Sequence, residues 1–114
     1  MEHKIRYDRP ETGKRIRQIR EFYGISRKQM AKVAECTVKH YADIERGYVG
    51  MSLDMLLSIS QYLVVSMDYI LLGKGKKGLG AEIMEYSMAA EREKEEADGE
   101  KNQESDKSGV LGLG

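Results

Sequence analysis

The apolar positions of this chain fall into short helical stripes separated by residues that start or stop helices. From Thr12 to Tyr23, Ile16, Ile19 and Tyr23 recur at steps of three and four while Lys14, Arg15, Arg17, Gln18 and Glu21 fill the remaining positions, so an amphipathic helix is predicted there. Gly24 ends it, because glycine readily takes the left-handed conformation at a helix C′ position. Ser26 then reads as the cap of a second helix, with Gln29 three residues on completing a capping-box pattern and Met30, Val33 and Ala34 on the inner face. Thr37 caps a third helix that runs to Arg46 and is closed by Gly47, with Tyr41 and Ile44 pointing inward. Ser52 caps a fourth, with a stripe of Leu53, Leu56, Leu57, Ser60 and Leu63. Ser66 caps a last short one, Met67 to Leu72, stopped at Gly73.

Beyond Leu72 the pattern changes. GKGKKGLG combines glycine with like charge and is predicted to be a flexible hinge over 74–80. Residues 81–97 are strong helix formers with Ile83, Met84 and Met88 near one face, which suits a solvated or partner-dependent helix. From Asp98 to Gly114 apolar residues are too sparse for a core, so 98–114 is expected to be a disordered tail. Residues 1–11 are left as an N-terminal arm. The predicted class is all-α: a compact five-helix domain over 12–73, followed by an acidic, partly helical or disordered tail.

Length allows only one core, since 114 residues divided in two would leave each half too small to bury enough apolar surface. No apolar run approaches the roughly 20 residues of a membrane span, and the first ten residues lack the apolar stretch of a secretory signal, so a cytoplasmic protein is expected. One cysteine, Cys36, makes no internal disulfide, and two scattered histidines, His3 and His40, do not complete metal-ligand spacing. No cofactor or metal is implied. Catalysis is not supported either: there is no Ser/His/Asp set, GKGKKGLG lacks the strand and spacing of a phosphate loop, and His40 with Asp43 is an ordinary pair of exposed helical neighbours.

Net charge is zero, yet its distribution is lopsided. Met1–Lys77 holds 15 Lys+Arg against 9 Asp+Glu, and the remainder holds 4 against 10. A basic body with an acidic tail fits a nucleic-acid partner, because basic side chains displace condensed counterions from phosphate.

Two short helices joined by a three-residue turn are the motif that sets its second helix in the DNA major groove. At about 100° per residue, Lys39, Ala42, Asp43 and Arg46 share one face of that helix, and Tyr41 and Ile44 share the other. The polar face is free for DNA. RKQMAKVAECTVKHYADIERG resembles the helix-turn-helix of the Cro and phage-repressor family, often called XRE-like. GKRIRQIREFYGIS is similar to that family's first helix and turn, Ala31 stands at its small-residue helix crossing, and VSMDYILLG resembles its closing segment.

The resemblance implies a lambda-repressor-like domain that regulates transcription by binding double-stranded DNA, as a repressor dimerised on an inverted-repeat operator. It implies base contacts from Val38, Lys39, His40 and Asp43, with Lys39 donating to guanine O6/N7, Asp43 accepting from cytosine N4, and Val38 meeting a thymine methyl. It implies backbone contacts from Arg27, Lys28, Thr37 and Arg46, and an ion pair of Arg20 with Glu45 that ties the first helix to the third. Three positions depart from the family pattern. Glu35 stands where glycine is usual, at a cost of about 1 kcal/mol in the left-handed region. Cys36 replaces a branched aliphatic as a small, inert hydrophobe. Asp43 sets a negative charge near phosphate, which either a cytosine contact compensates or DNA affinity is weak. The tail reads as a dimer or protein-partner surface, as a competitor for the basic face, or as a plain solvated extension. An interaction module, such as an antitoxin or accessory factor with little DNA binding, is the alternative from a different class.

Overall fold

In a computed structural model the backbone is described for residues 7–108, with side chains to residue 98. Every described element is helical: α1 (Arg9–Phe22), α2 (Arg27–Val33), α3 (Val38–Arg46), α4 (Leu53–Leu63), α5 (Met67–Leu72) and α6 (Leu79–Ser108). The chain forms two compact units, one reaching Glu82 and one from Ile83 onward.

Local chemistry sets the helix starts in the first unit. Asp8, Ser26, Thr37, Ser52 and Ser66 each sit in extended backbone and accept a bond from an amide three residues on. Ser26 and Gln29 close a reciprocal capping box. Asp8 explains a difference from the pattern reading: with its carboxylate capping Glu11 and Pro10 in the first turn, α1 begins at Arg9 rather than Thr12, so 9–11 belong to the helix and not to an arm. Residues 1–6 of that arm lie outside the described residues.

Ile16 and Ile19 of α1, Met30 and Ala31 of α2, Tyr41 and Ile44 of α3, Leu56 and Ile59 of α4, and Ile70 of α5 make one core. The α4 stripe is rotated from the expected one. Leu53 and Leu57 are exposed, whereas Leu56, Ile59, Ser60 and Leu63 are buried, because the inward line runs along the 56–59–63 step and leaves the first helical residue outside the bundle. Helix α1 crosses α3 at Gly13, where a Cβ would overlap the Glu45 carbonyl oxygen; only glycine permits that approach.

The segment expected to be a loose hinge is instead tied to the body of the first unit. The Ser66 amide donates to the Lys77 carbonyl (2.9 Å) and its hydroxyl to the Lys76 carbonyl (2.5 Å), and the Gly80 amide donates to the Val64 carbonyl (2.7 Å). The Tyr23 hydroxyl donates to the Gly80 carbonyl at 2.6 Å. Gly78 turns the chain at φ +94°, and Gly80 lies so close to the Leu63 carbonyl that no Cβ would fit. Glycine here serves close packing rather than looseness.

In the second unit α6 continues to Ser108, past Asp98, where composition led to an expectation of disorder. Over 81–98 helix formers dominate and opposite charges stand four apart at Arg92/Glu96 and Lys94/Asp98, so local propensity favours a helix up to Asp98. Residues 109–114 of the expected tail lie outside the described residues. Ile83, Tyr86 and Met88 are exposed.

Candidate nucleic-acid interface

The turn between α2 and α3 follows from its own hydrogen bonds. Ala34 ends α2, Glu35 takes the left-handed conformation at φ 56°, and the Cys36 amide returns to the Ala31 carbonyl at 2.9 Å. Glutamate thus occupies a backbone region that glycine enters without cost. Cys36 is half-buried, and burial pushes its thiol pKa up, away from the reactive thiolate. Thr37 then caps α3, its hydroxyl accepting from the His40 amide at 3.0 Å.

Helix α3 has two chemically opposite sides. Tyr41, Ala42, Ile44 and Glu45 are buried, Val38 is exposed, and the Lys39 and Arg46 side chains are 86% and 50% exposed. Ala42 therefore corrects the helical-wheel reading. Placed with the polar face, it is 7% exposed, because it stands about 60° from the buried Glu45 on the helix circumference and so falls inside the covered arc. His40 is half-buried at the margin. Lys28 is exposed at the start of α2, and Arg27 beside it is turned partly inward.

A buried carboxylate holds α3 in place. The Glu45 side chain, 1% exposed, accepts from Arg20 Nε at 2.5 Å, from Arg20 Nη2 at 3.2 Å, from Arg27 Nε at 3.3 Å and from the Tyr41 hydroxyl. Arg20 also donates to the Ile25 carbonyl at 2.8 Å, so one guanidinium links α1, the α1–α2 turn and α3. Burial and the bond to Glu45 together push the Tyr41 hydroxyl pKa well above that of a free tyrosine. Geometry thus brings Arg20 and Glu45 together and adds Arg27, a candidate phosphate ligand, and Tyr41, a core residue, to the same cluster.

Asp43 stands on the opposite side. Its Oδ2 accepts from Lys39 Nζ at 3.1 Å and its Oδ1 lies 3.6 Å from Arg46 Nη1. Candidate base-reading and phosphate residues thus share one carboxylate. At the start of α4, Tyr7, Met51, Ser52, Leu53, Leu56 and Leu71 line a shallow, largely apolar groove. The outward aromatics Phe22, Tyr48 and Tyr62 are exposed, and none of them lines it.

A short α2, a left-handed turn residue, a capped α3 with one anchored and one solvated side, and closing helices α4 and α5 are the parts of a helix-turn-helix domain. A model of the helix-turn-helix domain family matches residues 13–76, more than half of the chain. The chain belongs to that family. Searches of curated proteins and of solved structures returned no match. Helix-turn-helix domains are modules of DNA-binding regulators, and the matched span includes α2, α3 and the helices that brace them. No described helix is long and apolar enough to cross a membrane, and the described residues contain no cluster of His, Cys, Asp and Glu able to hold a metal ion.

Proposed function

We propose that this helix-turn-helix protein is a sequence-specific DNA-binding transcriptional regulator of the Cro-like, XRE type. It acts in the cytoplasm as a repressor, and α3 enters the major groove. The observation that carries this reading is the division of α3: Tyr41, Ile44 and Glu45 anchor it while Val38, Lys39 and Arg46 stand in solvent on a body of net positive charge. Val38 and Lys39, in the first turn, reach base edges. Arg46, Lys28 and Thr37 meet phosphate, where the helix N-terminal amides add donors. One module makes few contacts, so two copies on an inverted repeat supply the affinity.

Selection of bound duplexes from a random pool, at two salt concentrations with the full chain, tests the reading. Lys39→Ala should relax preference at one position by about 1–3 kcal/mol. Arg46→Ala should weaken binding without relaxing preference at any one base position and should lower the salt slope by about one. A parent protein that retains no duplex even at low salt would overturn the assignment.

A further inference from the structure

We infer that Asp43 is a specificity-determining residue that acts mainly by penalising non-matching DNA, through its hold on both exposed cations of α3; the inference rests on the DNA-binding reading above. Its two oxygens are divided between Lys39 and Arg46, at 3.1 and 3.6 Å, and its side chain is only 18% exposed while theirs are 86% and 50%. The free protein therefore offers DNA two cations already shared with an internal anion. A bound duplex has to draw them away.

What happens then depends on the base beside Asp43. The amino group of cytosine or adenine gives the carboxylate a new donor, so Lys39 and Arg46 leave it without stranding a charge. A guanine O6 or thymine O4 presents only a lone pair, and the carboxylate then faces acceptor oxygen in a groove flanked by phosphate. In that case Asp43 keeps its cations and DNA loses them. The residue costs affinity everywhere and costs most on the wrong sequence, which is discrimination by repulsion rather than by added attraction. Two pairs at i,i+3 and i,i+4 on an exposed helix face contribute little to folding, so their principal effect falls on binding.

The test compares the full-length parent with Asp43→Asn and Asp43→Ala on a duplex selected by the parent and on a random-sequence duplex, across a salt series, with circular dichroism to verify the fold. Both variants should bind random DNA about tenfold or more tightly at low salt, with a salt slope steeper by about one as the freed Arg46 reaches phosphate. The selected duplex should gain less, so the ratio of selected to random affinity falls. Random-DNA affinity and slope unchanged in two folded variants would overturn the inference while leaving the DNA-binding reading intact. Lys39→Ala/Arg46→Ala separates the readings further. If it binds as the parent does, or if the parent binds no duplex, the groove-facing assignment fails and this inference fails with it.

Discussion

Asp43 and Glu45 lie two residues apart on the same helix, each contacts two cationic side chains, and they do opposite things. Glu45 is 1% exposed and receives four donors from α1, α2 and its own helix, whereas Asp43 is 18% exposed and pairs with Lys39 and Arg46 of its own helix. A two-residue step rotates the side chain by about 200°, from the bundle to the solvated face. Burial, not the number of cations, separates the roles. A carboxylate that has left water needs its partners to stay, so the Glu45 cluster is structural; one at the surface exchanges partners at little cost, so the Asp43 cluster is available to a ligand.

The strongest way to break this contrast is to remove the Glu45 charge. Glu45→Gln leaves the 9%-exposed Arg20 guanidinium with only the half-exposed Glu21 carboxylate, 3.9 Å away, as an anion and should cost about 3–5 kcal/mol in urea unfolding. A loss below about 1 kcal/mol would place Glu45 with surface pairs instead. Alkaline pH probes the same cluster next. Because folding raises the Tyr41 hydroxyl pKa above its ordinary 10.0, the folded state holds that proton more tightly than the unfolded chain does. Its stabilisation is therefore complete below pH 10 and is lost as pH climbs beyond it, at up to about 1.4 kcal/mol per pH unit. Tyr41→Phe should flatten the fall in stability between roughly pH 10 and 12 relative to the parent, as followed by chemical denaturation. Tyr7, also raised by burial, supplies a smaller slope of the same sign that persists in the variant.

The difference between the two carboxylates also shows what could be read from the chain before its fold. Caps and stops at Ser26, Thr37, Gly24, Gly47, Ser52 and Ser66 were legible because each acts on amides or carbonyls within a few residues. The meeting of Arg20 with Glu45 was suggested only by family resemblance. The Tyr41 hydroxyl and Arg27 in that cluster carried no sequence signal, since a tyrosine at a core position looks alike with or without a buried acceptor. Gly13 was missed for a related reason: a glycine inside a helical pattern signals close packing only once its neighbour, the Glu45 carbonyl, is known. The 74–80 segment failed in the other direction. Its glycine and lysine content suggested a hinge, and the Val64 and Ser66 groups that bind it are visible only in three dimensions. A glycine pair spaced like Gly78 and Gly80, next to helix-forming sequence, was the available hint of a close backbone approach.

Arg27 sharpens the contrast because it belongs to both sides. Its side chain is 36% exposed and 3.3 Å from Glu45, yet it opens α2, where phosphate would approach. Arg27→Ala should cost about 0.2–1 kcal/mol of folding stability, discounted for solvent, and should lower the salt slope of duplex binding by about one. A stability loss as large as that of Glu45→Gln, with an unchanged slope, would make it wholly structural. The smallest expected effect is the most diagnostic. Asp43→Asn keeps the shape of the side chain and removes two exposed ion pairs, so urea unfolding should move by no more than about 0.5 kcal/mol in either direction. The sign can even favour the variant, since Asp43 lies in the last turns of α3, where the helix dipole disfavours negative charge. A loss of several kcal/mol would mean that Asp43 braces the fold as Glu45 does, and the division of α3 into an anchored side and an exchangeable side would no longer hold.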